Sequence, residues 1–369
     1  MEYIAVFSGY YYPHLGGIER YIDGMMKEFI KLGYKPILVT SNYNNSKSEE
    51  TINGIKIFRL PVYNAFKNRY PIIKNNKECK NILKKLDKYN ISSIIVNTRF
   101  HLTSHIGAKY GKKNNIPVYL IEHGSNYVTL DNKFIDFFAN RYEDFLTHKI
   151  KNKITGFYGV SNACAAWLKN FKIKASGVWY NSIDFNQNIP KRKKHNNINF
   201  LYAGRLIKQK GVKNILDSFK KLEKEYNNIH LYIAGDGPEM SDCKTNYKSD
   251  NITFLGKLSF EELLNYYAIT DVFLYPPLWP EGLPTSILEA GMMKCMTIGT
   301  NQGGIKEVIN DNNGIIVKET VKSLYESMKK MIDDDALRKK LANNLHNDVK
   351  NNFSWQATAK KILKDMGEM

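Results

Sequence analysis

The chain has 369 residues, of which 43% are hydrophobic, and a formal net charge of +18. This length favours two domains of roughly 180 residues each, and the apolar content excludes a disordered chain. Residues 1–180 carry 27 Lys and Arg against 13 Asp and Glu, so this half should attract the phosphates of a nucleic acid, a lipid surface or a lipid-linked diphosphate.

The sequence also limits the compartment. No run approaches the roughly 18 consecutive apolar residues of a membrane-spanning helix, and Met1–Phe7 lacks the basic leader of a secretory signal. The four cysteines are widely separated and have no metal-ligand spacing, which favours reduced thiols. We therefore expect a cytoplasmic protein.

Short apolar segments alternate with amphipathic ones through the first half of the chain. A helix is predicted after Gly17, because apolar residues from Ile18 to Phe29 recur at helical spacing, and Gly33 suits its C-terminal end. The predicted strands lie near residues 3–8, 36–41, 55–60, 93–97, 117–121 and 156–160.

The same alternation is repeated in the second half. The basic, Asn-rich stretch 191–199 is the best linker candidate, and the segment 353–369 is predicted to form a helix that packs back on the first domain. We therefore predict an N-terminal domain of residues 1–185 with 353–369, and a C-terminal domain of residues 186–352. The second series of predicted strands lies near residues 198–203, 229–234, 252–255, 272–275, 296–299 and 314–317.

This α/β alternation predicts two doubly wound, parallel-sheet domains of Rossmann type. Open parallel sheets bind ligands beyond the carboxyl ends of their strands. Two such domains facing each other would form a cleft, and the candidate site residues are those that follow predicted strands.

Cations and glycines follow the first two strands of the second series. Arg205 and Lys210 could clamp a diphosphate, although two solvated cations in a basic protein explain them equally simply. Gly237 belongs to a Gly-Asp-Gly-Pro turn where a base or ribose could lie against the backbone, and an ordinary strand-to-helix turn is the alternative.

The segment from Pro280 to Ala290 carries the strongest signal. Glu281 is predicted in a loop, and Glu289 in an apolar helix that begins near Pro284. The first backbone N–H groups of this helix, at Thr285, Ser286 and Ile287, would form an anion site beside Leu283. Burying the Glu289 carboxylate is costly unless it is hydrogen-bonded, either by ribose hydroxyls or by a partner in the core.

Two features of the first half point to the same chemistry. Gly16 and Gly17 join the first strand to the first helix, where backbone can approach a phosphate, although paired glycines also make plain turns. His123 follows a predicted strand, so it could donate to a sugar or phosphate, handle a proton near neutral pH, or serve a structural role.

Taken in order, these segments resemble glycosyltransferase family 4, whose members have the two-domain GT-B fold. The likeness covers nearly the whole chain, and the set is specific although each motif alone is weak. The matching segments are Gly16-Gly17-Ile18-Glu19, His123-Gly124, Val160-Ser161, Asn181-Ser182-Ile183-Asp184, Gly204-Arg205-Leu206, Lys210-Gly211, Gly235-Asp236-Gly237-Pro238, Glu281 with Glu289, and Gly303-Gly304-Ile305-Lys306-Glu307.

The resemblance implies a role for each matching residue. Arg205 and Lys210 look like the donor diphosphate clamp, and Glu289 like the ribose ligand. The catalytic candidates are Glu281, which would contact donor-sugar hydroxyls, and His123, which would contact the sugar near the reacting centre. The other implied donor-binding residues are Gly16, Gly17, Gly237, Leu283, Pro284 and Thr285.

The family also implies a reaction. Its members retain anomeric configuration without a dedicated carboxylate nucleophile and need no bound metal or other cofactor, so catalysis would come from stabilising the leaving diphosphate and positioning the acceptor. The run from Asp333 to Asp335 accordingly looks like an acidic helix start rather than a metal site. After Glu289 the usual Gly-x-Pro is replaced by Lys294-Cys295-Met296, which predicts an altered turn.

The basic N-terminal domain should supply the acceptor side. The segments 62–70 and 133–153 mix aromatic and basic residues, which suits either an anionic membrane face or a core-facing helix with a solvated side. We expect a UDP-sugar donor, carrying a hexose or N-acetylhexosamine, and a lipid-linked saccharide acceptor in bacterial surface polysaccharide or glycan synthesis. We expect peripheral membrane contact and no nucleic acid.

Rival hypotheses follow from the same features. A basic nucleic-acid-binding protein would explain the charge, but no helix-turn-helix, zinc or single-strand motif is visible. A sugar-nucleotide epimerase or a phosphorylase would share the fold. A phosphorylase needs a lysine that holds pyridoxal phosphate, and nothing in the sequence marks one.

Overall fold

The computed structural model describes residues 2–14, 16–65, 70–127, 132–186 and 188–369. The chain divides into two compact units. The first comprises Met1–Ser182 and Trp355–Met369, and the second comprises Ile183–Ser354. The first unit is therefore built from two separate stretches of chain.

Strands and helices alternate along both units. The strands are β1 (Tyr3–Phe7), β2 (Lys35–Ser41), β3 (Glu49–Ile52), β4 (Ile55–Leu60), β5 (Val62–Ala65), β6 (Tyr70–Ile73), β7 (Ile91–Asn97), β8 (Val118–Glu122), β9 (Gly156–Gly159), β10 (Gly177–Val178), β11 (Ile198–Ala203), β12 (Ile229–Ala234), β13 (Ile252–Gly256), β14 (Val272–Tyr275), β15 (Met296–Thr300) and β16 (Ile315–Val317). The helices are α1 (Gly17–Lys31), α2 (Lys77–Lys85), α3 (Leu102–Asn114), α4 (Lys133–Lys151), α5 (Asn162–Trp167), α6 (Val212–Leu222), α7 (Met240–Asn246), α8 (Phe260–Tyr267), α9 (Thr285–Met292), α10 (Val321–Asp333), α11 (Asp335–Asn352) and α12 (Trp355–Met366).

The first unit is built on an eight-stranded sheet in the order β10-β9-β8-β7-β1-β2-β4-β3. Its strands pair in parallel, except that β3 runs antiparallel to β4. The register places Val6 of β1 between Leu38 of β2 and Ile95 of β7. Because parallel strands end at the same edge, the loops after β1, β7 and β8 lie along one edge of this sheet.

Helix α12 belongs to the first unit, where it packs against α1. The buried face of α12 includes Trp355 and Ile362. Gly24 of α1 allows the close approach, since a Cβ added there would lie 2.2 Å from Nε1 of Trp355. The Tyr21 ring lies 4.9 Å from the Trp355 ring in an edge-to-face arrangement. The predicted return of the C-terminal helix to the first domain is confirmed.

The second unit is built on a parallel six-stranded sheet in the order β13-β12-β11-β14-β15-β16. Helix α6 covers it with an apolar face that includes Ile215, Leu216 and Phe219, all fully buried. The strand order reverses between β11 and β14, so the loops after these two strands flank the switch point where such sheets bind ligands.

The predicted parallel-strand framework is confirmed, since each predicted strand corresponds to an observed one. Strands β3, β5, β6 and β10 were not predicted. Strand β3 begins with two glutamates at a sheet edge, β6 contains a proline, and β10 has 2 residues. None of these has the apolar run that marks a buried strand. Within the described ranges, the helices are too short or too polar to cross a lipid bilayer.

Candidate functional site

Lys210 and Glu281 meet at the switch point of the second unit. Lys210 precedes α6, and Glu281 lies in the loop after β14. The Lys210 Nζ donates to Oε1 of Glu281 at 2.7 Å and to the Tyr275 hydroxyl at 2.8 Å. An ammonium group has three donors, so one N–H is left for an anionic ligand.

Tyr275 supplies a neutral neighbour to this ion pair. Burial, followed by the charge of Glu281, raises the pKa of Tyr275 well above its ordinary value. The Tyr275 hydroxyl therefore stays protonated, and the positive charge of Lys210 is balanced by one carboxylate rather than two. Tyr275 was not predicted from the sequence, although its position at the carboxyl end of β14 was a usable signal.

Arg205 lies at the same edge of the sheet but is held differently. Its backbone carbonyl accepts a hydrogen bond from the Tyr202 hydroxyl at 2.9 Å, which fixes the chain just after β11. The Arg205 side chain is exposed, and its guanidinium makes no hydrogen bond with the part of the chain that the structure describes. It is therefore free to rotate toward a phosphate.

Close backbone approaches hold the loops of this edge together. A Cβ added at Gly237 would lie 2.4 Å from the carbonyl oxygen of Leu206, so the turn after β12 needs glycine there. Gly303, in the loop after β15, has φ of +59°, and a Cβ added to it would lie 1.8 Å from the carbonyl oxygen of Glu281. Gly303 thus fixes the backbone that carries Glu281.

Glu289 lies on α9 and is 4% exposed. Its Oε2 is 3.2 Å from the hydroxyl of Tyr267, which lies 3.1 Å from the Ser286 carbonyl oxygen as well. Burial, followed by the charge of Glu289, raises the pKa of Tyr267 well above its ordinary value, so this hydroxyl is a neutral donor. Both meanings predicted for Glu289 therefore remain open, because Tyr267 is a core partner and the second carboxylate oxygen can still accept.

Helix α9 begins where the sequence predicts. Pro284 is its N-cap residue, and Leu283 and Pro284 are both buried. Thr285 and Ser286 begin the first turn, where N–H groups have no partner within the helix. The prediction of a free N–H at Ile287 is wrong, because this group donates to the Pro284 carbonyl at 3.3 Å.

The turn after α9 contains the sequence's departure from the family pattern. Lys294 has φ of +56°, the left-handed conformation that glycine adopts without strain. Its N–H donates to the Gly291 carbonyl at 3.1 Å, and Cys295 N–H donates to Ala290 at 2.8 Å. A lysine here therefore keeps a conformation that suits glycine, with two helix-closing hydrogen bonds in place.

His123 lies at the carboxyl edge of the first unit's sheet. Asn97 donates its Nδ2 to the Phe7 carbonyl at 3.2 Å, so its Oδ1 faces Nε2 of His123 at 2.9 Å. Nε2–H is therefore the donor, and Nδ1 is left as an acceptor. Burial, with a smaller contribution from His101, lowers the pKa of His123 to about 3.

A neutral imidazole with its N–H already engaged narrows the chemistry predicted for His123. It does not exchange a proton near pH 7, and it does not donate to a phosphate through Nε2. It can accept a hydrogen bond from a sugar hydroxyl through Nδ1. Of the three roles that the sequence left open, only a contact with sugar or a structural role fits this geometry.

Gly16 and Gly17 lie at the start of α1 in the first unit. The Gly16 N–H donates to Oε2 of Glu19 at 2.7 Å, and Nδ1 of His14 lies 3.4 Å from the same oxygen. Glu19 is 4% exposed. The carboxylate of Glu19 thus occupies part of the helix N-terminus that was predicted to hold a phosphate, and Gly17 is the residue still open to a ligand.

Acidic, histidine and cysteine side chains do not gather into a metal centre in the described part of the chain. These residues contain no cluster of three or more His, Cys, Asp and Glu side chains that could hold a metal ion. Asp334 caps α11, since its Oδ1 accepts the Leu337 N–H at 2.8 Å. The prediction that the Asp333–Asp335 run begins a helix is confirmed. The four cysteines are free and buried.

With this geometry established, family models identify both halves of the chain. The model described as Glycosyltransferase Family 4 matches residues 15–187, and the one described as Glycosyl transferases group 1 matches residues 184–348. The protein is an enzyme of the glycosyltransferase class with the GT-B fold. The chain belongs to glycosyltransferase family 4.

Individual relatives agree with this assignment. An uncharacterized glycosyltransferase of Methanocaldococcus jannaschii is 28% identical, over 98% of this chain and 97% of its own length. A human phosphatidylinositol N-acetylglucosaminyltransferase polypeptide is 23% identical, over 98% of this chain and 75% of its own. The solved structure of Anabaena HepE in complex with UDP-glucose matches with a TM-score of 0.76 at 15% identity, covering 100% of both chains.

Proposed function

We propose that this enzyme is a retaining glycosyltransferase that transfers a hexose or N-acetylhexosamine from a UDP-sugar to a lipid-linked saccharide at an anionic membrane surface. The observation that carries the proposal is the arrangement of Lys210, Glu281 and Glu289 around one sheet edge of the second unit. The Lys210 ammonium suits a phosphate, and the Glu289 carboxylate suits vicinal ribose hydroxyls.

The geometry also suggests how the leaving group would be stabilised. As the glycosidic bond to the donor breaks, negative charge develops on the diphosphate. Lys210 and the exposed Arg205 are cations at the same edge, and the first N–H groups of α9 add a positive dipole end. Preorganised charge of this kind needs no carboxylate nucleophile, which is consistent with retention through attack on the face that the nucleotide leaves.

The choice of UDP and of the sugar is supported by relatives. HepE was solved with UDP-glucose, and the human relative is by its name an N-acetylglucosaminyltransferase. The same name specifies phosphatidylinositol, which is a lipid acceptor. We extend these properties to this chain as part of the proposal, together with the expected place in bacterial surface polysaccharide or glycan synthesis.

Helix α4 supports the membrane part of the proposal. Its exposed side chains include an unusual number of large apolar residues within three turns, which we name the α4 aromatic face. Lys149 lies 4.2 Å above the Phe145 ring, and Lys151 and Lys153 follow at the helix end. Such a combination inserts into the headgroup region of anionic membranes. The α4 aromatic face comprises Phe134 (73% exposed), Ile135 (48%), Phe137 (55%), Phe138 (56%), Tyr142 (45%) and Phe145 (53%).

The other segment predicted to contact a membrane, residues 62–70, is described only in part. Residues 66–69 lie outside the described residues. In the described portion, Tyr63 is 62% exposed and Lys74 lies 4.9 Å above its ring. This contact adds one exposed aromatic and one cation to the first unit.

A thermal-shift panel of UDP-, GDP- and ADP-sugars tests the donor. At a hundred times the dissociation constant, a ligand adds about 2.7 kcal/mol of stability, so the matching nucleotide should raise the melting temperature by several degrees. Glu289→Ala should lose this shift, whereas Glu326→Ala, at an exposed position on α10, should keep it. If no nucleotide shifts the parent protein, the donor proposal fails.

Vesicle flotation at low salt tests the membrane part. The parent protein should float with vesicles of phosphatidylcholine containing phosphatidylglycerol. Replacing Phe137 and Phe138 by Ser should weaken association at least about tenfold, since each buried aromatic side chain contributes roughly 1.5–3 kcal/mol. Trp279→Ser, at an exposed aromatic of the second unit, is the matched control. Absence of parent association would contradict the membrane part alone.

The rival activities are separable in the same preparations. An epimerase would convert the sugar nucleotide with no acceptor present, whereas a transferase would need the acceptor. A nucleic-acid-binding protein would bind duplex or single strands with a steep salt dependence and would leave sugar nucleotides unbound. A phosphorylase would show the absorbance of lysine-bound pyridoxal phosphate.

A further inference from the structure

The first unit contains a buried ionic network that the proposed reaction does not use directly. Arg99 follows β7 and is 1% exposed. It donates from one terminal nitrogen to Oε2 of Glu122 at 2.9 Å, and from the other to Oε2 of Glu143 at 2.7 Å. Its Cζ lies 4.2 Å from the centre of the Phe171 ring. The guanidinium is thereby held in one orientation.

Glu122 connects this network to the candidate histidine. While its Oε2 binds Arg99, its Oε1 accepts the backbone N–H groups of His123 and Gly124, both at 3.1 Å. The carboxylate thus binds the guanidinium on one side and the backbone that carries the imidazole on the other. Rotation of Glu122 away from Arg99 would break both backbone hydrogen bonds.

The backbone before Arg99 is strained. Thr98 has φ of +68°, and a β-branched residue rarely adopts this conformation. Its N–H is nevertheless held by the Ile121 carbonyl at 2.9 Å. Strain of this kind persists where the surrounding structure requires it, and it is concentrated at functional sites. Here it directs Arg99 toward the loop after β8.

The same loop is attached to α4 at two points. Glu143 of α4 is the second carboxylate of Arg99, and the Tyr127 hydroxyl donates to Oδ1 of Asp144 at 2.7 Å. Helix α4 also carries the aromatic face defined above. The network therefore links the exposed helix and the His123 loop through a single buried cation.

A purely stabilising role explains these observations less well. Burying one guanidinium and two carboxylates carries a large desolvation cost, and well-packed apolar residues often serve stability equally well. Such a network does fix orientation, because a planar fork constrains two carboxylates at once. We propose that Arg99 is a positioning residue for His123, acting through Glu122 and held in register by Glu143 of α4.

This inference rests on the proposed function, since His123 is a sugar contact only there. Arg99→Lys keeps the charge but cannot bridge both carboxylates, so we expect kcat to fall about tenfold to 100-fold with the donor KM unchanged. Arg338→Lys is the matched control, because Arg338 is also buried and paired with a carboxylate but lies in α11 of the second unit. It should keep kcat within about twofold of the parent.

A double-mutant cycle with His123→Ala separates positioning from a general structural effect. If Arg99 acts through His123, Arg99→Lys combined with His123→Ala should be no slower than His123→Ala alone. Losses that multiply would overturn the proposal. So would a His123→Ala variant with parental kcat in an active enzyme, while leaving the transferase assignment intact.

Hydrogen–deuterium exchange gives a readout that does not depend on activity. In Arg99→Lys, amides in a peptide covering Glu122–Gly124 should exchange at least about tenfold faster, with peptides of the second unit unchanged. Unchanged exchange in this peptide would contradict the proposal even if the parent transferred no sugar. Glu143→Gln, which keeps the Arg99–Glu122 pair, serves as a second and milder variant should Arg99→Lys not fold.

Discussion

Glu281 and Glu289 belong to neighbouring turns of one segment, yet the structure surrounds them differently. Glu281 is partly exposed and neutralised by Lys210 at 2.7 Å, whereas Glu289 is buried beside the neutral hydroxyl of Tyr267. A carboxylate paired with a cation is suited to orient a ligand without repelling its phosphates. A buried carboxylate beside a neutral donor accepts further hydrogen bonds from hydroxyl groups.

Replacing Glu289 by Gln tests this distinction at the residue scale. Hydrogen bonds to a charged group contribute about 1.5–3 kcal/mol, so UDP affinity should fall about tenfold to 100-fold. Isothermal titration calorimetry with UDP measures the change, and Glu326→Gln on exposed α10 should bind as the parent does. Equal affinity in Glu289→Gln and the parent would show that Glu289 is a core carboxylate and not a ribose ligand.

The histidines of the first unit make its stability depend on pH. Burial lowers the pKa of His101 to about 4 and that of His123 to about 3, from 6.5. Between the folded and unfolded values the unfolded chain binds more protons, so stability should fall as pH drops below 6.5 and should be insensitive to these groups above it. Each histidine contributes up to about 1.4 kcal/mol per pH unit.

Urea unfolding between pH 7.5 and 5 measures this slope. In a Trp279→Phe background, the remaining tryptophans, Trp167, Trp179 and Trp355, all lie in the first unit, so their fluorescence reports on that unit. His101→Gln should flatten the slope, and His148→Gln, at an exposed position on α4, should leave it as in the parent. A parent slope of zero would contradict the expectation.

At the scale of loops and strands, the second unit's site depends on backbone packing. The loop after β15 touches the loop after β14, because Gly303 lies against Glu281 and Gly304 N–H donates to the Glu281 carbonyl at 3.1 Å. The position of one carboxylate is therefore determined by a glycine more than twenty residues further along the chain.

Gly303→Ala tests this dependence, with Gly256→Ala as a matched control. Both glycines have positive φ, of +59° and +70°, so alanine costs about 1 kcal/mol of strain at either. A Cβ at Gly303 would meet the Glu281 carbonyl at 1.8 Å, whereas no atom of the described residues lies within 4 Å of one at Gly256. We expect donor affinity to fall at least about tenfold in Gly303→Ala only. Equal losses in both would mean that strain, and not displacement of Glu281, is responsible.

The strands that sequence could predict are those buried on both faces, since their apolar runs are unmistakable, as in β1 and β11. Edge strands such as β3 carry charge and give no such run. Among site residues, sequence marks those that directly follow strands, which is how His123 and Arg205 were found.

Pairings between distant loops leave no trace in sequence. The contact of Lys210 with Glu281 spans 71 positions, and that of Arg99 with Glu143 spans 44. Arg99 also follows a strand, so the signal that marked His123 applied to it too. A buried arginine is uncommon, however, and its partners are visible only in the folded structure.

At the scale of the whole molecule, the first unit depends on α12. Its buried side chains include Trp355, Ile362 and Leu363, which belong to the same apolar core as the buried face of α1. Removal of 355–369 should therefore expose an apolar face of α1.

A chain that stops at Ser354 tests this dependence. Amides of the first unit should exchange much faster than in the full chain, because burial of several large side chains, worth roughly 1.5–3 kcal/mol each, is lost. The second unit should still bind UDP, as measured by calorimetry. A chain ending at Gly367, which keeps all of α12, is the control. Loss of UDP binding with an intact first unit would contradict the expectation.

Helix α12 also emerges from the ribosome after every strand of both sheets. At about 5–20 residues per second, the second unit, Ile183–Ser354, takes roughly 10 to 30 s to synthesise. Throughout that interval the groove beside Gly24, which Trp355 later fills, faces solvent in the nascent chain. The part of the protein made first is thus completed last, and we expect this groove to be where folding factors bind the growing polypeptide.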